Sequence, residues 1–365
     1  MRSEPWVIRN GTGGRKLVST ATLDDFLRAY TGGADPLREA VAHVVKNLAA
    51  AAVEVRDTIN LGVLGPAFAG TREGAGAGGD VQNGLDVHCD EIFLDAMAGA
   101  PVALFASEER ENPVVLDRVA PLALVIDPID GSSNIEMNVS MGTIFSVLPV
   151  ARPLEGTGLA SFMQPGAAQL AAGFFVYGPQ LALVLTLGAG TRVFISTRRG
   201  VFVEAYANLQ IPQKAPDFSI NASNYRHWDE PVRQYIDDCL QGAAGPHGRD
   251  YNMRWIASMV AEAYRILIRG GVYLYPTDSR KGYGKGRLRL VYEANPIAMV
   301  IEQAGGLATD TVSRILELKP TSLHQRVAMV FGSSADVARI ERYHTDPARY
   351  GDRKPLFGTR GLFRT

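Results

Sequence analysis

The stretch LALVIDPIDGSSNIEMNVSMGTIFSV, residues 122–147, carries the strongest structural signal in this sequence. It opens with an apolar run that predicts a buried β-strand reaching as far as Asp127. Pro128 fixes its own φ angle and favours extended backbone at the residue before it, so we expect a stiff strand exit. Asp130 follows closely, and a small polar turn occupies residues 131–134. One short segment therefore delivers two acids and a turn to the same end of a strand.

These residue types suit metal-assisted chemistry on a phosphate group. Carboxylate oxygens, such as those of Asp127 and Asp130, are ligands for hard cations such as Mg²⁺. The backbone N–H groups of a turn built from Gly131, Ser132 and Ser133 suit a phosphate. The alternative is an ordinary turn in which the aspartates cap backbone amides and the serines fill a β-turn.

Composition indicates an ordinary globular protein. The 365 residues suffice for a large core and about two domains, and 46% of them are apolar. A formal net charge of −1 gives no general attraction to nucleic acid or to anionic membranes. Cys89 and Cys239 lie far apart in the sequence, which argues against a disulfide framework and favours a cytoplasmic location. We find no signal peptide core and no run long enough to span a membrane.

Helical and strand patterns alternate along the chain, which predicts a layered α/β (α+β) architecture. Residues 37–59 have helical spacing and follow Asp35 and Pro36, a typical cap and first-turn pair. Residues 81–97 and 253–270 are also expected to form helices.

A segment with two prolines indicates a domain boundary. The stretch QIPQKAPDF, residues 210–218, separates a strand-rich region from a second set of helices and strands. We therefore predict an N-terminal domain over residues 1–209, a C-terminal domain over residues 210–345 and a tail over residues 346–365.

Further acids lie beside or near apolar segments: Asp80, Asp86, Glu108, Glu109 and Glu293. If they converged on one pocket, these carboxylates would repel one another, and bound dications would relieve the repulsion. The alternative for each acid taken alone is a helix cap or a solvated side chain.

The C-terminal half contains a group of polar and basic residues: Asn221, Asn224, Arg254, Arg280, Lys281, Lys285, Arg287 and Arg289. The densest part is SRKGYGKGRLR, residues 279–289. Lysine and arginine bind phosphate by charge and hydrogen bonds, so one interpretation is a phosphate-contacting loop. An RNA contact and a simply solvated loop are the alternatives.

Several strings together resemble class 1 fructose-1,6-bisphosphatases. They occur in the family's order over roughly residues 79 to 332: GDVQNGLDV, ASEE, DPIDGSSNIEMNVSMGTIFS, RWIASMVAEAYR, GGVYLYP, RLRLVYEANPIA, EQAGG and PTSLHQR. The DPIDGS core alone would indicate only the wider superfamily of lithium-sensitive, Mg²⁺-dependent phosphatases, which includes inositol monophosphatases.

The resemblance implies a set of site residues. The implied metal ligands are Glu108, Asp127, the carbonyl of Ile129, Asp130 and Glu293, with Asp80 serving a third metal or a loop that closes over the site. Asp86 and Glu109 would help to activate the attacking water. Gly131, Ser132 and Ser133 would hold the 1-phosphate. The 6-phosphate would be held by Asn221, Asn224, Tyr275 and Arg254, the last from a neighbouring subunit. Met259 and Arg287 would contact the sugar.

The same resemblance implies a layered αβαβα fold, a homotetramer, a requirement for Mg²⁺ or Mn²⁺, and hydrolysis of the 1-phosphate of D-fructose 1,6-bisphosphate. Activity on sedoheptulose 1,7-bisphosphate, alone or in addition, is the nearest alternative. Inositol monophosphatase activity would leave the distal phosphate residues without a purpose. A non-catalytic regulatory or RNA-binding member is the alternative from a different functional class.

Inhibition by AMP is expected to be weak or absent. AMP-inhibited members carry a Lys-Tyr pair where this chain has Pro121 and Leu122. The N-terminal segment Tyr-Thr-Gly-Gly, residues 30–33, is only a partial match to the family's AMP signature.

Overall fold

Helices and sheets alternate in five layers in the computed structural model of this chain. The structure describes residues 21–33, 35–65 and 84–346, together with the backbone of two short strands near the N-terminus. Asp80, the Gly-rich segment 71–79 and almost all of the predicted tail lie outside the described residues. Among the residues described, no helix is long and apolar enough to cross a membrane.

The helices are α1 (Leu23–Thr31), α2 (Pro36–Leu61), α3 (Gly84–Ala96), α4 (Glu230–Leu240), α5 (Met259–Arg269), α6 (Asn295–Gln303) and α7 (Ser334–Thr345). The strands of the N-terminal half are β1 (Val7–Arg9), β2 (Arg15–Leu17), β3 (Val102–Ser107), β4 (Val114–Val115), β5 (Leu122–Asp130), β6 (Met141–Pro149), β7 (Ala171–Tyr177), β8 (Leu181–Thr186), β9 (Thr191–Ser196) and β10 (Phe202–Leu209). Those of the C-terminal half are β11 (Asp217–Ser219), β12 (Asn252–Met253), β13 (Val272–Tyr275), β14 (Leu288–Arg289), β15 (Leu307–Thr309), β16 (Arg326–Val327) and β17 (Met329–Gly332).

The larger sheet has eight strands in the order β10-β9-β8-β7-β6-β5-β3-β4. Its neighbouring strands are antiparallel except for β3 and β5, which are parallel. The smaller sheet has five strands in the order β12-β11-β13-β17-β15. Because β3 and β5 are parallel, the residues that follow them leave the larger sheet at the same edge.

The apolar residues of each strand alternate between two cores because successive side chains point to opposite faces of a sheet. Phe145 on β6 packs with α1, α2 and α3, whereas its neighbour Ile144 packs with α5 and α6. The other face of the α5–α6 layer covers the smaller sheet, where Phe331 is buried. Helices α4 and α7 cover the outer face of that sheet. The αβαβα sandwich predicted from the sequence is therefore confirmed.

Helix α2 begins as the sequence predicts. The Asp35 side chain accepts hydrogen bonds from the backbone N–H groups of Leu37 and Arg38, and Pro36 occupies the first turn. The helix runs to Leu61 and buries a stripe of alanine, valine and leucine. A cap of this kind stabilises a helix by about 1 kcal/mol.

Two sequence-based boundaries are wrong. Residues 253–258 are not helical, because Met253 lies in β12 and helix α5 begins only after its cap, Ser258. The backbone N–H of Ile256 is bonded to the Glu262 side chain instead of to a helical carbonyl. Strand β5 does not end at Asp127 but continues to Asp130, because a bulge keeps it paired with β6. The predicted domain boundary at residue 210 falls between β10 and β11 and stays a prediction.

Candidate active site

The parallel pair β3 and β5 brings two acidic segments together. Ser107 at the end of β3 is in register with Ile126, and the Glu108 N–H donates to the Ile126 carbonyl at 3.0 Å. Glu108 and Glu109 therefore leave the sheet beside Asp127, the next residue of β5. This adjacency depends on strand pairing, because the two segments are separated by a connection that includes β4.

A bulge in β5 sets the orientation of Asp130. Asp127 is paired with Ile144 and Asp130 with Gly142, so the two residues between them have no regular partner in the ladder. The Ile129 N–H donates to Asp127 Oδ1 at 3.1 Å, which fixes that carboxylate. Bulges reorient side chains in this way next to functional sites.

The carboxylate of Asp130 lies at the N-terminal end of helix α5. The backbone N–H of Val260 donates to Asp130 Oδ2 at 3.0 Å, and the Ser258 hydroxyl lies 3.4 Å from the same oxygen. Free N–H groups at a helix start stabilise a negative charge. The contact also fixes the larger sheet to the α5–α6 layer at the site.

Glu293 lies on a short π-helix, Leu290–Ala294, that leads into α6. The backbone N–H of Arg289 donates to Glu293 Oε2 at 2.5 Å. The π-helix packs against β5 and β6, so its acid faces the end of β5. Single π-turns of this type are common at functional sites.

Three carboxylates meet at this point. Oxygen atoms of Asp127, Asp130 and Glu293 lie within 4.8 Å of one another. The three residues are no more than 9% exposed. An all-oxygen set of this size suits a hard divalent cation, so the cluster can hold a metal ion.

Burial raises the pKa of each of these acids, and repulsion by neighbouring carboxylates adds to it for Asp127 and Glu293. Burial, followed by the charges of Glu108 and Glu293, raises the pKa of Asp127 well above its usual range. Burial and then Glu108 do the same to the pKa of Glu293, although the Arg289 N–H opposes the effect. The pKa of Asp130 rises only to about 6, because the helix N–H groups and Ser258 oppose burial. A bound cation would relieve this repulsion, so the residues fit a metal.

Glu108 lies beside the three clustered acids and is linked to the C-terminal half. Arg289 is 2% exposed, and its Nε donates to Glu108 Oε1 at 3.2 Å. The antiparallel pair β14–β16 holds Arg289 in place. The buried Arg289 guanidinium neutralises part of the negative charge of Glu108 without a metal.

The turn that carries Glu108 and Glu109 is fixed by helix α3. Arg110 Nε lies 2.6 Å from Asp90 Oδ2, and Asp90 is 2% exposed. The Glu109 N–H donates to the Ser107 hydroxyl at 3.2 Å. Asp86 is buried one turn before Asp90 on the same helix. Helix α3 therefore carries Asp86 and also holds the turn that carries Glu109, the other acid expected to activate water.

The polar turn follows Asp130 directly. Gly131 has a φ of 78°, a left-handed conformation that suits glycine. Ser132 and Ser133 begin a short 3₁₀-helix, and the Asn134 amide donates to the Ala257 carbonyl at 2.8 Å. The three residues predicted to hold the 1-phosphate therefore lie next to the acidic cluster.

A second group of predicted residues lines a shallow cleft on the C-terminal half. Asn221, Asn224 and Tyr275 contribute to its wall, together with Trp255 and Asp278. Asn221 Oδ1 accepts hydrogen bonds from Ser223, which leaves its amide N–H groups to donate elsewhere. We call this the distal cleft.

The remaining predicted residues have different positions. Arg254 does not line the distal cleft; its side chain is 51% exposed and lies 3.6 Å from Asp217. Met259 is buried at the first turn of α5, next to the Asp130 contact. The Arg287 guanidinium lies over the Tyr283 ring, 4.7 Å from its centroid. In the part of the chain that the structure describes, the acidic cluster and the 131–133 turn come together, whereas the distal cleft is a separate group.

Sequence reasoning missed several residues of the site. Ser258, Asp90 and Arg110 hold the acids in place; Ser258 stands within the string RWIASMVAEAYR without an assigned role, and the other two stand outside the quoted strings. A Ser directly before an apolar run of helical spacing is a weak helix-start pattern, and it could have located the start of α5. Nothing local indicates that Asp90 and Arg110 form a pair, because they belong to different elements.

Comparison with known proteins agrees with this architecture. A family model described as "Fructose-1-6-bisphosphatase, N-terminal domain" matches residues 27–207, and one described as "Fructose-1-6-bisphosphatase, C-terminal domain" matches residues 211–345. The chain is 61% identical over 348 residues to the class 1 fructose-1,6-bisphosphatase of Rhizobium meliloti, covering 95% of this chain and 100% of that protein. It is 52% identical over 334 residues to one from Nitrobacter hamburgensis, covering 91% of this chain and 95% of that protein.

Solved structures agree as well. The holo form of Leishmania major fructose-1,6-bisphosphatase superimposes with a TM-score of 0.83 at 31% identity, covering 90% of this chain and 99% of that one. The two matched domains, the identity over nearly the whole length and the common fold together show that this chain belongs to the class 1 fructose-1,6-bisphosphatase family.

Proposed function

We propose that this protein hydrolyses the 1-phosphate of D-fructose 1,6-bisphosphate to give fructose 6-phosphate and phosphate. The observation that carries the proposal is the cluster of Asp127, Asp130 and Glu293 directly beside the turn at residues 131–133. Membership of the family supports the same reaction, since the relatives above are named for it.

The metal is proposed to be Mg²⁺, with Mn²⁺ as a substitute. Its ligands would be the three clustered carboxylates with Glu108 and the Ile129 carbonyl, and Asp80 would serve a third ion or a loop closing over the site. When bound, such an ion polarises phosphoryl oxygens and lowers the pKa of a coordinated water. Oxygen ligands throughout and strong repulsion in the absence of a cation support this choice.

The protein's own residues would bind and orient the substrate. Gly131, Ser132 and Ser133 would donate to the 1-phosphate, since they follow Asp130 on the same segment. Asp86 and Glu109 would take the proton of the attacking water; the electrostatic effect of Glu109 on Asp127 supports its share. These residues would hold the substrate and the attacking water in the orientation that the reaction needs. Positioning and electrostatic stabilisation account for most of the catalysis of phosphoryl transfer.

The distal cleft would receive the 6-phosphate. Asn221, Asn224 and Tyr275 line it, and the amide N–H groups of Asn221 remain to donate to an anion. Met259 and Arg287 would contact the sugar between the two phosphate sites.

We propose a homotetramer in which Arg254 completes the distal cleft of a neighbouring subunit. The guanidinium is exposed and lies 3.6 Å from Asp217, which supports a role outside its own chain. We also propose a cytoplasmic location, which the two free, buried cysteines support. Sedimentation of the purified protein would test the assembly.

Phosphate release tests the activity. We expect turnover of fructose 1,6-bisphosphate that rises with Mg²⁺ and is abolished by EDTA, and we expect Asp127→Asn to lower it by orders of magnitude. Asp95→Asn, at an exposed position of α3, is the matched control and should leave the rate unchanged. Sedoheptulose 1,7-bisphosphate, assayed in parallel, ranks the two sugars. Near-normal turnover by Asp127→Asn, or full activity in EDTA, would contradict the proposal.

A further inference from the structure

The basic segment at residues 279–289 has one ordered centre. The Arg280 guanidinium is bonded to Asp278, with Nε 3.1 Å from each carboxylate oxygen. It also lies over the Tyr283 ring, 4.4 Å from the centroid. Arg287 lies over the same ring. A side chain held by a carboxylate and an aromatic face is oriented, unlike a solvated loop residue.

This centre adjoins the distal cleft. Asp278 is the only charged side chain that lines the cleft among the residues described, and the other polar groups are amides, indoles and the Tyr275 phenol. The Tyr275 phenol is also one of the groups that raise the pKa of Arg280, after the larger effect of the Asp278 hydrogen bond. Arg280 does not itself line the cleft, but its ion pair with Asp278 holds its guanidinium against a residue of the cleft wall.

A phosphate in this cleft needs a cation. The Asp278 carboxylate would repel it, because its hydrogen bond to Arg280 lowers its pKa and keeps it ionised. Of the five N–H donors on a guanidinium, the contacts to Asp278 use those on Nε and one terminal nitrogen. The donors on the other terminal nitrogen remain for an anion, and Asp278 fixes the plane in which they point.

We propose that Arg280 is a specificity residue of the distal cleft: it donates hydrogen bonds to the distal phosphate of a bisphosphorylated sugar, with Asp278 and Tyr283 holding it in position. The inference rests on the proposed function and adds to it a cation supplied by the same chain. It gives the basic segment a role in selecting a bisphosphate over a monophosphate.

The test compares two substrates. Phosphate release is measured for fructose 1,6-bisphosphate and for fructose 1-phosphate, which lacks the distal group, with the wild type and Arg280→Gln. Loss of a charge-assisted hydrogen bond should reduce the ratio of kcat/KM for bisphosphate over monophosphate by about tenfold or more, mainly through KM for the bisphosphate. Arg280→Lys, which keeps the charge without the fork, should recover part of the ratio.

Arg233→Gln is the matched control, because Arg233 forms a similar exposed ion pair with Glu230 on helix α4. It should leave the ratio unchanged. An unchanged ratio in Arg280→Gln, or an equal loss on both substrates, would overturn the role of Arg280 while the proposed function stands. A wild-type protein that hydrolyses neither substrate would overturn the proposed function itself and the inference with it.

Discussion

At the scale of single residues, the site holds several carboxylates close enough to repel one another. Asp127 is buried among Glu108, Glu293 and Asp130, and its pKa is raised by burial and by each of them. An acid whose pKa is higher in the folded state than in the unfolded chain binds its proton more tightly when folded. The metal-free protein therefore loses stability as the pH rises from about 4 through the folded-state pKa of each such acid.

We accordingly expect Asp127→Asn to stabilise the metal-free protein. Asparagine keeps the acceptor for the Ile129 N–H but removes the charge, so the melting temperature in EDTA at pH 8 should rise by at least about 2 °C. The gain should shrink at pH 5, where part of the cluster is protonated in the wild type. Thermal melts of wild type, Asp127→Asn and the exposed Asp95→Asn at both pH values check this. A lower melting temperature for Asp127→Asn in EDTA would contradict it.

At the scale of elements, the acids are held by contacts between segments that are distant in sequence. Helix α3 holds the turn after β3 through Asp90 and Arg110, and helix α5 holds the end of β5 through its first N–H groups. The Arg110 carbonyl accepts a hydrogen bond from His324 Nε2 at 3.1 Å, which ties the same turn to the C-terminal half. Each acidic segment is thus fixed at its end by a neighbouring element.

Arg110→Gln is expected to weaken both stability and the response to metal. It leaves the buried Asp90 carboxylate without its charged partner, at a cost of about 1–3 kcal/mol in the free energy of unfolding. The turn that carries Glu108 and Glu109 should loosen, so half-maximal activity should need more Mg²⁺. Urea unfolding and Mg²⁺ titrations of Arg110→Gln, Asp90→Asn and the double variant measure the coupling.

Arg199→Gln, at an exposed turn, provides the control for this series. The positioning role would be contradicted if the effects of the two single substitutions on the free energy of unfolding were additive and the Mg²⁺ concentration for half-maximal activity did not change.

At the scale of the whole molecule, the acidic cluster draws Asp127 and Asp130 from the N-terminal half and Glu293 from the C-terminal half. Leu122, one of the positions behind the expectation of weak or absent AMP inhibition, is fully buried in β5 opposite Pro149. A buried apolar side chain offers a nucleotide neither charge nor a hydrogen bond. Helix α1 ends at Thr31 and is capped by Gly32, both within the segment 30–33 named in the sequence analysis.

AMP is therefore expected to leave activity essentially unchanged. The assay is phosphate release from fructose 1,6-bisphosphate at saturating Mg²⁺ with AMP titrated up to the millimolar range. An AMP-sensitive member of the family, assayed in the same buffer, shows that the conditions permit inhibition. Half-maximal inhibition of this protein at micromolar AMP would contradict the prediction.

The sequence by itself determined the layered fold, the start of α2 and the buried strand that leads to Asp127, and it named the acids that are proposed to hold a metal. These features are local, since apolar spacing, caps and motif order act within one segment. Only the tertiary structure decided which acids meet. The parallel register of β3 with β5, the helix start at Asp130, the pairing of Arg289 with Glu108 and the contact of Asp278 with the distal cleft all join residues through packing. Contacts of this kind depend on how whole elements are arranged, and no single segment of the chain encodes them.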